Sequence, residues 1–223
     1  MWYALAAILV IVLAAIWELY VCEGAHLGRR TVVWTYNLAA RRYEHIKQFD
    51  LAWETRFLGE PIATIFNSIS GTRLLDVGAG TGRLAVALKE AGTFEGTLVA
   101  VEPSVGMTAI GRQVQAPFPV GWVRAWSTPL PIADDSFDLV ASLEVLEFTP
   151  DPGHTIREMV RVLRPGGWLL TTNRIGWQAR WIVGHTFRRR NLESLLEGLG
   201  LVDIQIFPWQ MDYDLVWGFK PSQ

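Results

Sequence analysis

The chain has 223 residues, room for one sizeable domain and a short appendage but not for two full domains. Its 20 Lys and Arg against 22 Asp and Glu leave a formal net charge of −2, so no global basic field argues for nucleic acid. A single cysteine, Cys22, excludes an internal disulfide framework and any zinc cluster built on several thiolates.

Met1 to Trp17 carries no charged side chain; Glu18 interrupts, and Leu19 to Cys22 is apolar or aromatic again. As a helix the first 17 residues rise roughly 25 Å and the stretch to Cys22 about 33 Å, against a hydrocarbon core of about 30 Å. Trp2 and Tyr3 stand at one end, Trp17 and Tyr20 at the other, where amphipathic rings prefer a membrane interface. A cleaved signal peptide has a basic start and a small-residue cleavage site, and neither is visible. A lipoprotein signal needs small residues before its cysteine, yet Leu19, Tyr20 and Val21 precede Cys22. A buried core helix is the competing reading, since uniform apolarity fits both. We read a membrane anchor over residues 1–23. Arg29, Arg30, Arg41 and Arg42 follow the span and no basic residue precedes it, which predicts that the rest of the chain faces the cytoplasm.

Gly24 to Gly28 reads as a short linker. Thr31 to about Phe66 reads as helical, with a break near Gly59-Glu60-Pro61. Tyr36 and Tyr43, seven residues apart, lie near one helix face. They serve either as packing against the domain or as a lid over a ligand.

Strand-like and helix-like segments then alternate. Leu74-Leu75-Asp76-Val77 reads as a buried strand, followed by Gly78-Ala79-Gly80-Thr81-Gly82 and a helix to about Ala91. Thr97 to Glu102 gives a second strand, Pro103 to Gln115 a helix, Val120 to Ala125 a third strand and Ser136 to Leu143 a fourth. A helix over His154 to Leu163 leads through Arg164-Pro165-Gly166-Gly167 into a fifth strand over Trp168 to Thr172. After a helix over Asn191 to Gly198, Leu201 to Phe207 and Tyr213 to Phe219 read as a closing antiparallel hairpin. The fold class is a doubly wound α/β sheet with ligand at the carboxyl ends of its strands.

Two acids end buried strands, Asp76 before the glycines and Glu102 about 24 residues after Gly78. The second is placed to accept hydrogen bonds from both hydroxyls of an adenosine ribose. A dinucleotide fingerprint is Gly-x-Gly-x-x-Gly with a pyrophosphate on the helix N-terminus. Here the loop follows Asp76, which would repel phosphate and suit an ammonium group. That disfavours an NAD-dependent oxidoreductase.

On these residues, the stretch from Leu74 to about Pro221 resembles the class I S-adenosylmethionine-dependent methyltransferases, the broad group that includes ubiquinone/menaquinone C-methyltransferases. Four ordered segments carry the resemblance. They are Leu75 to Gly82, Val101 to Met107, Leu130-Pro131-Ile132 with Ser136-Phe137-Asp138, and Arg161 to Gly167. The pair Tyr36 and Tyr43 is similar to the Tyr-acid segment preceding the domain in that group. The resemblance implies a Rossmann-like seven-stranded sheet, mostly parallel with a C-terminal antiparallel hairpin, over residues 71–223, with lid helices in 24–70. It implies S-adenosyl-L-methionine as cofactor. Asp76 would engage the methionyl amine, Gly78, Ala79 and Gly80 would bring the backbone close, and Glu102 with Pro103 would hold the ribose side. Met107 would pack on adenine or serve as core, Leu143 would offer backbone groups near the methionine part, and Tyr43 would close over the ligand.

Two departures matter. Trp126 stands where many relatives place an adenine-binding aspartate, so it either walls off adenine, with Ser127 supplying an amide or hydroxyl, or belongs to the core. Glu147-Phe148 replaces the Glu-His often found after strand four. Glu144, Glu147, His45 and His185 are candidate bases by location alone, with a surface role favoured for each, and no catalytic residue or metal ligand is assigned. The stretch Arg174 to Arg190, with Trp177, Trp181, Ile182 and Phe187 amid five arginines, reads as a membrane-touching surface or as an ordinary packed segment. The function this supports is a membrane-anchored methyltransferase acting on a hydrophobic small molecule or lipid, quinone- or phospholipid-like. Small lipophilic thiols or phenols are the alternative acceptors, and a non-catalytic tethered binding protein the alternative class.

Overall fold

A computed structural model describes residues 2–66 and 71–222. The domain boundary drawn after residue 70 and the first residue of the apolar stretch therefore fall outside the described residues. Seven strands form one sheet in the order β3-β2-β1-β4-β5-β7-β6. They are β1 (Arg73–Val77), β2 (Thr97–Val101), β3 (Val120–Val123), β4 (Phe137–Ser142), β5 (Leu163–Arg174), β6 (Val202–Gln210) and β7 (Tyr213–Phe219). The first five are mutually parallel and β7 runs antiparallel between β5 and β6. The predicted doubly wound sheet and closing hairpin are both present.

Adjacent residues on one strand face opposite ways, so a strand covered on both faces must be apolar throughout. Leu74 joins Leu84, Leu88, Leu98 and Leu139 in one core cluster, whereas its neighbour Leu75 joins Val140, Ile156, Met159 and Leu169 in the other. The first face is covered by α6 (Arg83–Ala91) and the helices before β1, the second by α8 (Pro152–Val162) and α9 (Arg189–Gly198). Two of the helices beside the sheet open on a side-chain cap. Ser104 caps α7 (Val105–Gly111) through the Met107 amide at 3.1 Å, and Asp151 caps α8 through the His154 amide at 2.8 Å. Pro152 opens α8 at a position that needs no amide hydrogen.

The helices ahead of the sheet depart from expectation at two places. The break falls at Gln48–Asp50, between α3 (Tyr43–Lys47) and α4 (Leu51–Glu54), with Gln48 at φ 48°. At the expected Gly59-Glu60-Pro61 the helix continues, through a π-helical turn (Thr55–Gly59) into α5 (Glu60–Ile65). Proline is tolerated there because it enters at the start of α5, and Gly59 is needed for packing. A Cβ on Gly59 would sit 2.2 Å from the Ala87 carbonyl oxygen of α6. The second departure is residues 24–28, which form a 3₁₀ turn (Ala25–Leu27) with Ala25 buried against Ile182 and Cys22. They are a docked junction, because small residues let the turn settle on the domain.

Upstream, α1 (Trp2–Tyr20) buries none of its residues against the rest of the chain. It is long and apolar enough to cross a membrane, with mean hydropathy 2.2. It is followed by α2 (Arg29–Ala39), which is pinned to the sheet domain by Asn37, whose Oδ1 accepts from Ser104 Oγ and the Gly106 amide, both at 2.8 Å. Gly59→Ala should lower unfolding free energy by about 1–3 kcal/mol in denaturant melts, because the clash with a helix backbone outweighs alanine's better helix propensity.

Candidate active site

The site is built where β1, β2 and β4 end. β1 passes directly into a loop whose Gly78 and Gly80 have φ 75° and 55°. The Gly78 and Ala79 amides donate to the Val101 carbonyl at 2.8 and 3.1 Å, which ties the loop to the end of β2. A side chain on Gly78 would meet Val145 at 2.4 Å, while a Cβ on Gly80 would project into open space. Glycine at 78 therefore lets the loop after β4 close in, and at 80 it leaves the backbone bare toward the cleft.

The two strand-end acids are in contrasting environments. Glu102 accepts from the Gly80 amide at 2.9 Å and the Ser104 amide at 2.7 Å, one bond on each oxygen. Burial pushes its carboxyl up, against the pull of those two amides. A carboxylate offers about four acceptor positions, so both oxygens keep capacity for hydroxyl donors. Asp76 is 3% exposed, and its carboxyl makes no hydrogen bond among the described residues. Burial pushes it up to about 7, the Glu102 charge adds to this, and Arg83 opposes it. A buried carboxyl without a donor is a cost that a cationic ligand group would relieve.

A cleft of ≈ 720 Å³, counting its open mouth, runs past Gly78, Gly80, Glu102, Pro103, Trp126, Ser127, Tyr43 and Glu144. A small cavity adjoining it is bounded by Asp76, Ala79, Gly80, Leu143 and Tyr43. Ten of the eleven residues singled out from sequence thus line one or the other. Met107 does not. It is 1% exposed on α7 and lines neither space, so its place is the core. Trp126 stands in the cleft wall beneath the Arg29 guanidinium, 4.6 Å from its ring centre, and Arg29 also donates to the Thr128 carbonyl at 3.2 Å.

Val32 and Val33 from α2 and Val145 and Thr149 after β4, which sequence reasoning passed over, complete the walls together with Tyr36 and Phe148. The rings of Tyr36 and Tyr43 lie 5.8 Å apart and Tyr36 meets Phe148 at the same separation. The helices before the sheet therefore form one side of the cleft. Burial pushes the Tyr43 phenol up to about 12, with Lys47 opposing and Glu144 adding, so it stays protonated near neutrality.

Of the four candidate bases, Glu144 and Glu147 are buried, contrary to the surface role favoured for them, because each is held in a charge network. Arg83, the first residue of α6, donates to Glu54 from Nε at 2.7 Å and Nη2 at 2.5 Å, and to Glu144 from Nη1 at 2.6 Å. Lys47 reaches the other Glu144 oxygen at 3.1 Å. Arg83 and Lys47 together outweigh burial and hold the Glu144 carboxyl below its ordinary value. Glu147 accepts from the Tyr213 hydroxyl and faces Arg174 at 3.8 Å, and burial pushes it up to about 6. It does not line the cleft. His45 is exposed, and His185 pairs with the Thr149 carbonyl at 2.8 Å.

Glu144 is shared with a second hollow, ≈ 1,330 Å³ including its open mouth, walled by Lys47, Phe49, Trp53, Arg174, Trp209 and Tyr213 among others. The geometry is thus a glycine cradle with two acids on one side of Glu144, and an aromatic and charged chamber on the other.

Residues 75–171 match the family model described as a methyltransferase domain. Over this stretch the chain is similar to methyltransferase domains of the class I, S-adenosylmethionine-dependent kind. The chain is 41% identical over 100 residues to an uncharacterized methyltransferase of Mycobacterium ulcerans (strain Agy99), covering 45% of this chain and 38% of that one. It is 35% identical over 135 residues to a demethylmenaquinone methyltransferase of Mycobacterium sp. (strain KMS), covering 60% and 56%. In both cases the chain spans less than two thirds of the relative's length. Among solved structures, a SAM-dependent methyltransferase from Thermotoga maritima superposes with TM-score 0.58 at 21% identity, covering 84% and 99% of the two chains. The [4+2]-cyclase SpnF superposes with TM-score 0.67 at 19% identity, covering 88% and 98%. At such identities these two share the fold.

The cofactor of this domain family fits the residues present. With that cofactor bound, Asp76 would offer an acceptor to the methionyl ammonium, Gly80 an open backbone, and Glu102 spare acceptor positions to the ribose hydroxyls. Trp126 and Ser127 line the same cleft.

Asp76→Asn should weaken S-adenosylmethionine binding by at least about tenfold in calorimetry, the order of a lost charged hydrogen bond. The pH dependence follows from the raised carboxyl. Folded protein holds the Asp76 proton up to about 7 and unfolded chain releases it near 3.8. Stability from this group is therefore full below about 3.8 and declines as pH rises to about 7. Wild type should lose cofactor affinity as pH falls below about 7, and Asp76→Asn should flatten that slope. Arg83→Met should destabilise the fold by about 3–5 kcal/mol in denaturant melts, since it leaves Glu54 and Glu144 buried without their cation.

Proposed function

We propose that the protein is a membrane-anchored methyltransferase that transfers the methyl group of S-adenosylmethionine to a hydrophobic small molecule or lipid, quinone- or phospholipid-like. One observation carries the reading. The cofactor cleft and an aromatic chamber share the wall at Glu144, and Glu23, just past the end of an apolar helix with no buried residue, lines the chamber.

The foot of α1 supports the membrane placement. Trp17 packs edge-on against Trp181 at 4.9 Å and Trp177 at 6.3 Å between ring centres. Trp177 and Trp181 remain half exposed, and Leu27, Trp34, Leu38 and Val183 are exposed as well. Indole rings grouped at the end of an apolar helix match the preference of tryptophan for the bilayer interface. Arg29, Arg30, Arg41 and Arg42 lie on the domain side of the span, which supports a cytoplasmic orientation by the positive-inside rule.

The bound cofactor supplies an already activated methyl group, and transfer is an in-line displacement by the acceptor's nucleophilic atom. The chain's own contribution is placement. Tyr43, Tyr36 and Phe148 close the cleft against water, and Phe49, Trp53, Trp209 and Tyr213 offer flat apolar surface to an acceptor. Holding acceptor and donor in line is worth several orders of magnitude in rate without any acid or base. Glu144, kept ionised by Arg83 and Lys47, stands where a positive or hydroxyl-bearing acceptor group would meet it. The demethylmenaquinone methyltransferases among the relatives favour a quinone-like ring over a phospholipid.

A second reading is a tethered binding protein without turnover. It is favoured by Arg29 lying over Trp126 in the adenine end of the cleft. Incubation of the detergent-solubilised chain with labelled methyl donor and a total membrane extract separates the two. Label should appear in an extractable lipophilic product with wild type and fall at least tenfold with Asp76→Ala. Cofactor binding without any labelled product would favour the second reading, and absence of cofactor binding would overturn both.

A further inference from the structure

Away from the cleft, donor atoms of three metal-binding residue types converge where α1 meets the domain. Glu18, Cys22 and His26 recur every fourth residue, and the end of α1 with the following 3₁₀ turn folds them together. A carboxylate oxygen, the thiol sulfur and an imidazole nitrogen all lie within 4.8 Å of one another. Glu18 Oε2 is 3.0 Å from His26 Nδ1, and Glu18 Oε1 accepts from the His26 amide at 2.9 Å. A tetrahedron drawn with metal–ligand bonds of ~2.0 Å has an edge of roughly 3.3 Å. The Glu18–His26 pair is thus already at the spacing that an ion would impose, and the Cys22 sulfur lies within 4.8 Å of both.

An independent feature lies on a distant segment. His185 Nδ1 is 2.8 Å from the Thr149 carbonyl oxygen, which can only accept, so Nδ1 carries the proton and Nε2 keeps its lone pair. Its ring lies edge-on to His26 at 5.8 Å between centres. A histidine oriented through one nitrogen by a backbone carbonyl, with the other left free, is the arrangement second-shell bonding gives to metal ligands. His26 has 35% of its side chain exposed, which supplies an access route, while Cys22 is 2% exposed, with its thiol against the Trp181 carbonyl at 3.9 Å and the Glu18 carboxylate.

We propose that Glu18, Cys22 and His26, with His185 as fourth ligand, bind one divalent ion of the zinc class and so fasten the anchor helix to the domain. One thiolate, one carboxylate and two imidazoles are a donor set for zinc, and too soft for calcium or magnesium. On binding, the ion displaces the Cys22 thiol proton, which leaves to solvent, and His26 binds as the neutral imidazole with its proton on the nitrogen that does not face the ion. The ion would join α1 to the loop bearing His185. That loop already fixes Thr149, a residue of the cofactor cleft. The proposal rests on neither the acceptor nor the membrane reading.

The test uses the full-length, tag-free chain in detergent, stripped with chelator and titrated with Co²⁺ as the spectroscopic probe for zinc. Wild type should take up one Co²⁺ per chain with a saturable thiolate-to-cobalt charge-transfer band, and added Zn²⁺ should erase that band. Cys22→Ser should abolish the band, and His26→Ala and His185→Ala should each weaken Co²⁺ binding at least tenfold. Cofactor affinity, measured alongside, shows that the variants are folded. A wild-type chain without a saturable band overturns the proposal, and so does undiminished Co²⁺ affinity in His26→Ala or His185→Ala.

Discussion

Arg83 sits where three layers of the structure meet, and their arrangement depends on its charge. It is the first residue of α6, one position beyond the glycine loop, and its guanidinium is nine-tenths buried. Two carboxylates from opposite sides, Glu54 ahead of the sheet and Glu144 at the end of β4, close on it, while Phe49 and Trp209 lie 4.0 and 4.7 Å from it. Arginine suits this position because its planar fork binds one carboxylate through two parallel bonds and still offers a face and a further edge. Remove the cation and two buried acids would repel each other in a low-dielectric space. With it, the helices before the sheet are fixed against the strand ends, and those helices are the cleft's second wall.

The same site is left deliberately incomplete at Asp76. Glu102 has both oxygens engaged by backbone amides and shapes the glycine loop, so it is as much structure as site. Asp76, one strand over, has no such donor and keeps its proton to about 7. Two acids of the same chemistry, at equivalent ends of neighbouring strands, are thus separated by what their backbones offer. The unpaired acid is the one that gains most from a cation, and a ligand with an ammonium group would gain most of its differential binding there.

What the sequence shows of this is the part written locally. Leu74 and Leu75 fall into two different cores because adjacent strand residues point apart, and alternation of strand and helix patterns then orders the sheet. Asp76, the glycines and Glu102 are close in sequence or separated by one βα unit, so their approach follows from the topology. The network is otherwise. Arg83 lies 29 residues from Glu54 and 61 from Glu144, and Lys47 lies 97 from Glu144. Nothing in a single sequence pairs four ordinary surface-type residues over such distances, so Glu144 and Glu147 read as exposed. Gly59-Glu60-Pro61 read as a breaker for a related reason. A glycine required by a neighbouring helix and a glycine that ends its own helix look alike until the neighbour is placed.

Placement of the junction after α1 follows from the same kind of long-range contact. Glu18 is the one charge in an apolar run, and a carboxylate at the end of a span must find a donor or reach water. It finds the amide and ring of His26, turning the chain back on itself within eight residues. That reversal brings Cys22 and Ala25 onto Ile182 and sets Trp17 against Trp177 and Trp181. An apolar helix on a flexible tether would let the domain sample any orientation. A helix whose following turn is buried against the loop beside the cleft fixes which face of the domain lies next to the helix. Under the proposed membrane reading, that rigidity matters more than the anchor's affinity: it keeps the aromatic rim at the lipid surface, where a hydrophobic acceptor is concentrated and leaves least water behind when it moves into the site.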